Sequence, residues 1–443
     1  RGTPTASALT TNARNACVFC DNYEHDSISG LLWKDDKKKL GSNFRIAKRR
    51  FDDLIRKFEK DSALSKNYKE IVLEQQTDGV VEQCSNKLIE NGYFMPHRPV
   101  LRDDKLTTKV RMVYDASSNE KHLNSLNNCL HPGPNLNPNI LDMIINFRTF
   151  NIAFCADLEK AFLQIGIKEE DRDYLNFLWF SDEKDNFKIL RFTRAPFGVT
   201  CSPFILAATI KHHIRKYNDH PDVVKILDTS LYVDDFIAGS KSDDEAFYIT
   251  ITASNIFKEA GMHLRKLHTK SENLRHMWEE NKLSDFQNSN DSLKVLVLLW
   301  DTNSDVLRFD VQSFPDDWKF NPTKRLVLKA MLKIFDPIGF IAPFSIRMKM
   351  LLQETWQKGL QWDDNLPKDL KDACENWCSE IEHLKNKLWF NGPEWLSMSM
   401  EKWPKFKNIE FDKFSIFDEK RSTVTSAQLS CAIKVSESNT LAQ

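Results

Sequence analysis

Three aspartates stand where their types and spacing could do chemistry. Asp157 ends a short apolar run over residues 152–157, and Asp234 and Asp235 lie inside a second apolar stretch, with Leu231 and Val233 before them and Phe236 and Ile237 after. One carboxylate at the end of a central strand and two in a neighbouring hairpin can meet at one point. Hard oxygen ligands of this kind suit Mg²⁺. Two such ions about 3.5–4 Å apart neutralise both the attacking and the leaving oxygens of a phosphoryl transfer. The pair alone says little, because Asp-Asp occurs seven times, at 35, 52, 103, 234, 243, 316 and 363. Only the pair at 234 sits between apolar strand-like flanks; the others read as solvated turns or helix starts.

The elements that must hold these groups follow from periodicity. Phe44, Ala47, Phe51, Leu54, Ile55 and Phe58 recur at steps of three and four, which predicts an amphipathic helix. A second helix is expected around 68–76, ending near Gly79. Residues 92–150 read as loop-rich, with a strand at 109–114 and a turn-rich segment at 131–139. Residues 152–157 read as a buried strand, 203–217 as a helix, and 230–240 as strand, tight turn and strand with the turn at Asp234-Asp235. Ser242 and Glu245 fit a capping box for the next helix and Gly261 fits its C-terminal cap. Strands are expected at 293–299 and 306–311 around a turn at 303–305. From Pro322 the pattern is helical, with breaks at Asp336-Pro337 and Ala342-Pro343. The order describes an α+β layer with helices packed on a sheet.

Bulk properties exclude little. The 443 residues suggest two or three domains, 41% hydrophobic and 28% charged residues are ordinary for a soluble protein, and the formal net charge is -1. A local basic cleft could still bind a polyanion. No apolar run reaches the roughly 18 residues a membrane span needs, so no membrane partner is expected. Nine scattered cysteines read as reduced thiols. Residues 1–30 are polar and irregular, no signal peptide is visible, and the chain opens on Arg1 rather than Met, as a fragment would. Residues 405–443 turn polar and Ser/Thr-rich, a composition expected to be disordered.

The words around the aspartates carry a resemblance. Tyr232-Val233-Asp234-Asp235 resembles the YxDD box of reverse transcriptases. Phe154-Cys155-Ala156-Asp157-Leu158-Glu159-Lys160-Ala161-Phe162 resembles the motif with their first catalytic aspartate. Arg194-Ala195-Pro196-Phe197-Gly198-Val199-Thr200-Cys201-Ser202-Pro203 resembles the motif that meets the incoming nucleotide and the template. Further words narrow the resemblance, over roughly 31–367, to the BEL/Pao group of LTR retrotransposons: Thr108 to Ser117, Leu264-Arg265-Lys266, and Asp336 to Pro343 followed by Lys349, Gln353 and Trp356. The implied fold is a right-hand polymerase of fingers and palm with a helical thumb or connection. The implied activity is RNA-directed DNA polymerisation on a primed RNA or DNA template with dNTPs.

The same resemblance implies roles residue by residue. Asp157 and Asp234 would hold two Mg²⁺ ions, for which Mn²⁺ can substitute, and Asp235 would support them. Phe162 would be a steric gate under the sugar, and Phe197 and Gly198 would lie by the nascent base pair. Arg111 and Lys109 would hold the triphosphate, and Lys266 would donate a proton to the leaving pyrophosphate. Read without the motifs, Phe162 is equally a core aromatic, and Lys109, Arg111 and Lys266 are surface charges. Val297 stands where the family's primer-gripping hairpin usually has glycine.

The implied divisions are an irregular segment at 1–35, fingers and palm at 36–290, a primer-grip hairpin and thumb or connection at 291–385, and a linker remnant with a tail at 386–443. Cys17, Cys20 and His25 resemble a zinc knuckle that lacks its fourth ligand, so zinc is not expected. No Asp-Thr-Gly or Asp-Ser-Gly loop supports a protease. The RNase H and integrase regions of such polyproteins are expected to be missing, and the family expectation for location is the cytoplasm. The rival expectation is a decayed retroelement relic, catalytically dead, that at most binds nucleic acid.

Overall fold

The computed structural model describes residues 30–34, 39–84, 92–101, 110–181, 187–283, 293–296, 298–308, 322–334, 336, 339 and 341–385. All fall within the compact unit Arg1–Asn391; the second unit, Gly392–Gln443, lies outside them. Two helices open the described chain. Helix α1 (Phe44–Lys60) buries Ala47, Phe51, Leu54 and Phe58, the stripe its periodicity predicts. Helix α2 (Ser62–Thr77) begins where the Asp61 carboxylate accepts the Leu64 N–H. Strand β1 (Val81–Cys84) follows, then the antiparallel pair β2 (His97–Leu101) and β3 (Val110–Tyr114).

Helix α3 (Ile140–Thr149) lies within the stretch read as loop-rich. Asn139 caps it through the Leu141 N–H, and Met143, Ile144 and Phe147 form its buried side. Strand β4 (Ile152–Leu158) leads through the single turn α4 (Glu169–Arg172) to β5 (Asn176–Phe180) and β6 (Phe187–Phe192). The sheet β1-β6-β5 packs on α1 and α2 through an aromatic core that includes Tyr68, Tyr114, Phe177, Trp179 and Phe192. His97 sits inside it with both ring nitrogens engaged, Nδ1 with the Tyr68 hydroxyl and Nε2 with the Leu178 carbonyl, each at 2.8 Å. Burial pushes its pKa down to about 4, so the ring is neutral, accepting from Tyr68 and donating to Leu178.

The central sheet has the order β7-β8-β4-β9. Helices α5 (Ser202–Ile214) and α6 (Pro221–Ser230) precede β7 (Leu231–Tyr232) and β8 (Asp235–Ser240). Helix α7 (Asp243–Glu259) starts at Ser242, whose hydroxyl accepts the Glu245 N–H, while the Glu245 carboxylate reaches back to the Lys241 N–H. It ends at Gly261, in the left-handed region at φ +72°. Strand β9 (Leu264–Thr269) and helix α8 (Glu272–Glu280) complete this part.

The strand expected at 293–299 is instead broken. Leu296 takes φ +46°, splitting it into β10 (Leu293–Val295) and β11 (Leu298–Asp301), with β12 (Val306–Arg308) paired beyond. A separate core joins α9 (Lys324–Lys333), α10 (Ala342–Gln357) and α11 (Lys368–Lys385). Pro343 opens α10 rather than breaking a helix, because a first-turn N–H has no intrahelical partner to lose.

The central sheet is buried on both faces. Phe154, Ala156 and Leu158 of β4, with Phe236 and Ala238 of β8, join the large core. Ala153, Cys155 and Ile237 face the other way, against α3 and the β10–β12 hairpin. Successive strand side chains alternate, so Asp157 and Asp235 project from the face on which that hairpin packs.

Candidate active site

Asp157 and Asp235 are directly paired residues of β4 and β8. On the other side of β4, Asp157 pairs with Arg265 of β9. Asp234 occupies the two-residue turn between Tyr232 and Asp235, and its carbonyl accepts the Leu158 N–H at 2.8 Å. The turn is therefore Val233-Asp234, one residue earlier than expected, and Asp235 already belongs to a strand. Val233 has φ +58°. Hairpin turns matching strand twist want a positive φ at this position, but a β-branched residue there is an outlier, strained by about 1–3 kcal/mol. The Asn137 side-chain oxygen accepts the Val233 N–H at 3.2 Å and helps hold the turn.

The three carboxylates act on one another through a shared field. Burial raises the Asp234 pKa, and the Asp157 charge raises it further, while Arg111 and Lys266 pull it back. Burial first, then Asp234 and Asp157, push Asp235 up to about 7, with Lys266 opposing. Lys266 Nζ lies 3.2 Å and Arg265 Nε 3.4 Å from Asp157 Oδ2, and Arg265 also pairs with Glu159 at 2.6 Å. Both cations reach this side because β9 carries an extra residue opposite Cys155–Asp157, with Lys266 at φ +52°.

Beside the carboxylates lies an aromatic shelf. Phe162, on a turn after Lys160, is buried, and its ring centroid is 4.6 Å from that of Phe197. Phe197 is 43% exposed despite its size, and the Arg111 guanidinium lies 5.6 Å above its ring. Gly198 takes φ +94°, and a Cβ there would stand 2.6 Å from the Tyr114 carbonyl oxygen, so only glycine fits. Asn127 holds the same loop: its amide donates to the Gly198 carbonyl and accepts from the Thr200 N–H, each at 2.9 Å.

The structure thus brings together Asp157, Asp234, Asp235, Arg111 and Lys266, and sets Phe162, Phe197 and Gly198 beside them. Lys109 and Val297 lie outside the described residues. Asn127, Asn137 and Arg265 were not singled out as site residues; their partners are distant in sequence, and no local pattern announces them.

The donor set fits a hard divalent cation in kind, because three crowded carboxylates lose their mutual repulsion on binding one. Its convergence is incomplete: among the described residues no group of three His, Cys, Asp or Glu side chains is placed to hold an ion.

Residues 102–294 match the family model for reverse transcriptase (RNA-dependent DNA polymerase), and 323–390 match the Pao retrotransposon-like RNaseH-like domain. No curated protein matches by sequence. Among solved structures, the foamy viral protease-reverse transcriptase dRH in complex with double-stranded DNA is 16% identical at a TM-score of 0.45, covering 72% of this chain and 48% of that one. The foamy viral protease-reverse transcriptase in complex with an RNA/DNA hybrid is 15% identical at 0.46, covering 71% and 36%. The chain therefore spans less than half the length of either protein. Segment 102–294 is a reverse transcriptase domain with an α+β fold. The two matched segments, in this order along the chain, are consistent with the reverse transcriptase region of a BEL/Pao-type retrotransposon.

One expectation changes. An RNaseH-like family segment is matched at 323–390, so that region is not wholly missing; its described residues form α9, α10 and α11. None of the described helices is long and apolar enough to cross a membrane.

Proposed function

We propose that this chain is the RNA-directed DNA polymerase of a retrotransposon, adding dNTPs to a primer 3′-OH on an RNA or DNA template. The observation that carries the reading is the pairing of Asp157 with Asp235 at the ends of two inner strands, with Asp234 in the adjoining turn and Arg111 and Lys266 acting on the same charges. Residues 36–290 would be fingers and palm, and 291–385 hairpin and thumb or connection. Synthesis would take place in the cytoplasm.

In the reaction the primer 3′ oxygen attacks the α-phosphorus of a dNTP, and the bond to the pyrophosphate oxygen breaks. Asp157 and Asp234 would hold two Mg²⁺ ions, or Mn²⁺, with Asp235 supporting. Such ions supply charge neutralisation on the attacking and leaving oxygens. Arg111 binds the triphosphate while resting on Phe197. Phe162 closes the space under the sugar, where a ribose 2′-OH would clash, and Phe197 and Gly198 line the new base pair. Lys266, held beside Asp157, protonates the departing pyrophosphate. The duplex is gripped through its phosphates, so affinity falls steeply with salt.

A second reading, a dead relic that only binds nucleic acid, is favoured by the incomplete convergence of the carboxylates and by the two cations already on Asp157. Primer extension on RNA with Mg²⁺ or Mn²⁺, beside Asp234→Asn, separates the two. Extension lost in the variant supports the polymerase; duplex binding by folded wild type without extension selects the relic.

A further inference from the structure

Asp305, in the turn between β11 and β12, fastens the β10–β12 hairpin to the elements around it. Its carboxylate accepts from three elements at once: Arg148 of α3 at 2.6 Å, Lys270 just after β9 at 2.8 Å, and the indole N–H of Trp300 on β11 at 3.0 Å. Asp305 takes φ +52°, a left-handed conformation that turns it into this junction. These donors hold its carboxyl below the usual range despite burial. The Arg148 side chain is only 10% exposed, its Nε has no partner among the described residues, and Asp305 is its ion-pair partner there. The residue before it, Phe147, meets Trp300 edge to face at 4.8 Å. Helix α3 therefore grips the hairpin twice, once by ring contact and once by charge.

The β10–β11 end of the hairpin shares a core with the strands that carry the carboxylates. Val295, Leu296 and Leu298 pack with Cys155 and Ile237, each two residues along its strand from Asp157 and Asp235 and on the same face. From Asp301 back to Leu298 the strand spans about 10 Å, so a shift at the Asp305 end is carried along β11 into the core that holds Cys155 and Ile237. Strand β9 reaches both the carboxylates and the hairpin's β11–β12 turn, since Lys266 sits on Asp157 and Lys270 on Asp305.

We propose that Asp305 is a positioning residue for the primer 3′ end: by locking the hairpin to α3 and β9 it fixes how the hairpin, packed in one core with the strands of Asp157 and Asp235, presents the primer terminus to them. The inference rests on the polymerase reading. Asp305 touches no reacting atom; it acts through Trp300 and the hairpin. A terminus displaced by about 1 Å can lose about 100-fold in rate, while duplex affinity, set by phosphate contacts elsewhere, stays.

The test uses the full chain with Asp305→Asn, the double variant Asp305→Asn/Arg148→Met, and the exposed-pair control Asp53→Asn. Duplex affinity, single-turnover incorporation, apparent dNTP affinity and thermal stability are measured, with 2-aminopurine at the primer terminus to report its placement. Asp305→Asn is expected to slow incorporation about 10- to 100-fold, change the 2-aminopurine signal, and leave duplex and dNTP affinities within about twofold. The double variant removes the buried cation together with the carboxylate's charge, so it regains stability yet stays slow. Incorporation that is unaffected, or that recovers in step with stability, overturns the positioning role. Wild type that binds no primer–template overturns the polymerase reading itself. If wild type binds without extending, the relic reading stands, and the 2-aminopurine signal alone decides whether Asp305 places the terminus.

Discussion

His97 and Asp235 are both ionisable, both shifted chiefly by burial, and differ in almost everything else. His97 lies in the aromatic core between α2 and β5, drawn from 6.5 down to about 4, with each ring nitrogen in a hydrogen bond. Asp235 lies at the start of an inner strand of the central sheet, driven from 3.8 up to about 7, with two like charges as neighbours and no hydrogen-bond donor on its side chain among the described residues. The first group is neutral and complete, and its burial serves stability. The second is crowded and incomplete, which suits a group that awaits a cation. What separates structure from function here is whether the neighbours finish the group's chemistry, not the size of the shift.

The sharpest way to break this contrast is to neutralise the crowded site. Asp235→Asn should abolish incorporation, by 1,000-fold or more if it acts with Asp157 and Asp234 as a unit. It should also stabilise the protein in metal-free buffer at pH 8. A raised folded pKa means that the charged carboxylate opposes folding above pH 7, and a shift of this size corresponds to about 2–4 kcal/mol once coupling is discounted. Urea unfolding with and without Mg²⁺ checks both halves. A variant no more stable than wild type would show that Asp235 is not crowded as described.

Next in size is Phe162→Val. Phe162 packs on Phe197, and on the proposed reading shortening it would open the space under the sugar. Ribonucleotide incorporation should rise about 10- to 100-fold relative to dNTP, in keeping with losing about 1–3 kcal/mol of steric discrimination. Competition between rNTP and dNTP on one primer reads the ratio. An unchanged ratio, with only lowered stability, returns Phe162 to the role of a core aromatic.

The pH dependence of stability sharpens the comparison because the two groups have opposite signs. His97 has a depressed pKa, so its contribution is fully present above pH 6.5 and is lost as pH falls toward 4, roughly 3 kcal/mol in all. Asp235 has a raised pKa, so its penalty is present above pH 7 and fades as pH falls toward 3.8. In wild type without metal the two partly cancel between pH 7 and 4. In Asp235→Asn that opposing contribution is gone and stability should fall more steeply with acid. Equal slopes in the two proteins would refute the opposition.

How much of this was legible in the sequence follows the same divide. The apolar flanks of Asp157 and of Asp234-Asp235 show in local pattern, and so do the stripe of α1 and the capping box of α7. Helix α3 was missed because prolines and a glycine just before it read as loop, although Asn139 and the spacing of Met143 and Phe147 mark it. The break at Leu296 has no signal, since Val295 to Leu299 reads as one apolar run. The groups that finish the site come from far away: Asn137 lies 96 residues before Val233, and Arg148 lies 157 before Asp305. Such pairings are fixed by the fold, not by spacing.

Asn127 gives the smallest and most specific prediction. Its one amide bonds to the Gly198 carbonyl, the Thr200 N–H and the Ser117 hydroxyl, so it sets the loop that carries Phe197. Asn127→Ala leaves these groups to water, because the loop is partly exposed, and the loss should be about 1–2 kcal/mol. Hydrogen exchange should quicken at residues 198–200 and stay unchanged in β4 and β8. With Phe197 less firmly held under Arg111, the apparent KM for dNTP should rise about three- to tenfold, as befits a loss of that order in ground-state binding, with kcat nearly unaltered. A fall in kcat at constant KM would instead link the loop to the carboxylates, and the nucleotide shelf and the metal edge would then have to be treated as one unit.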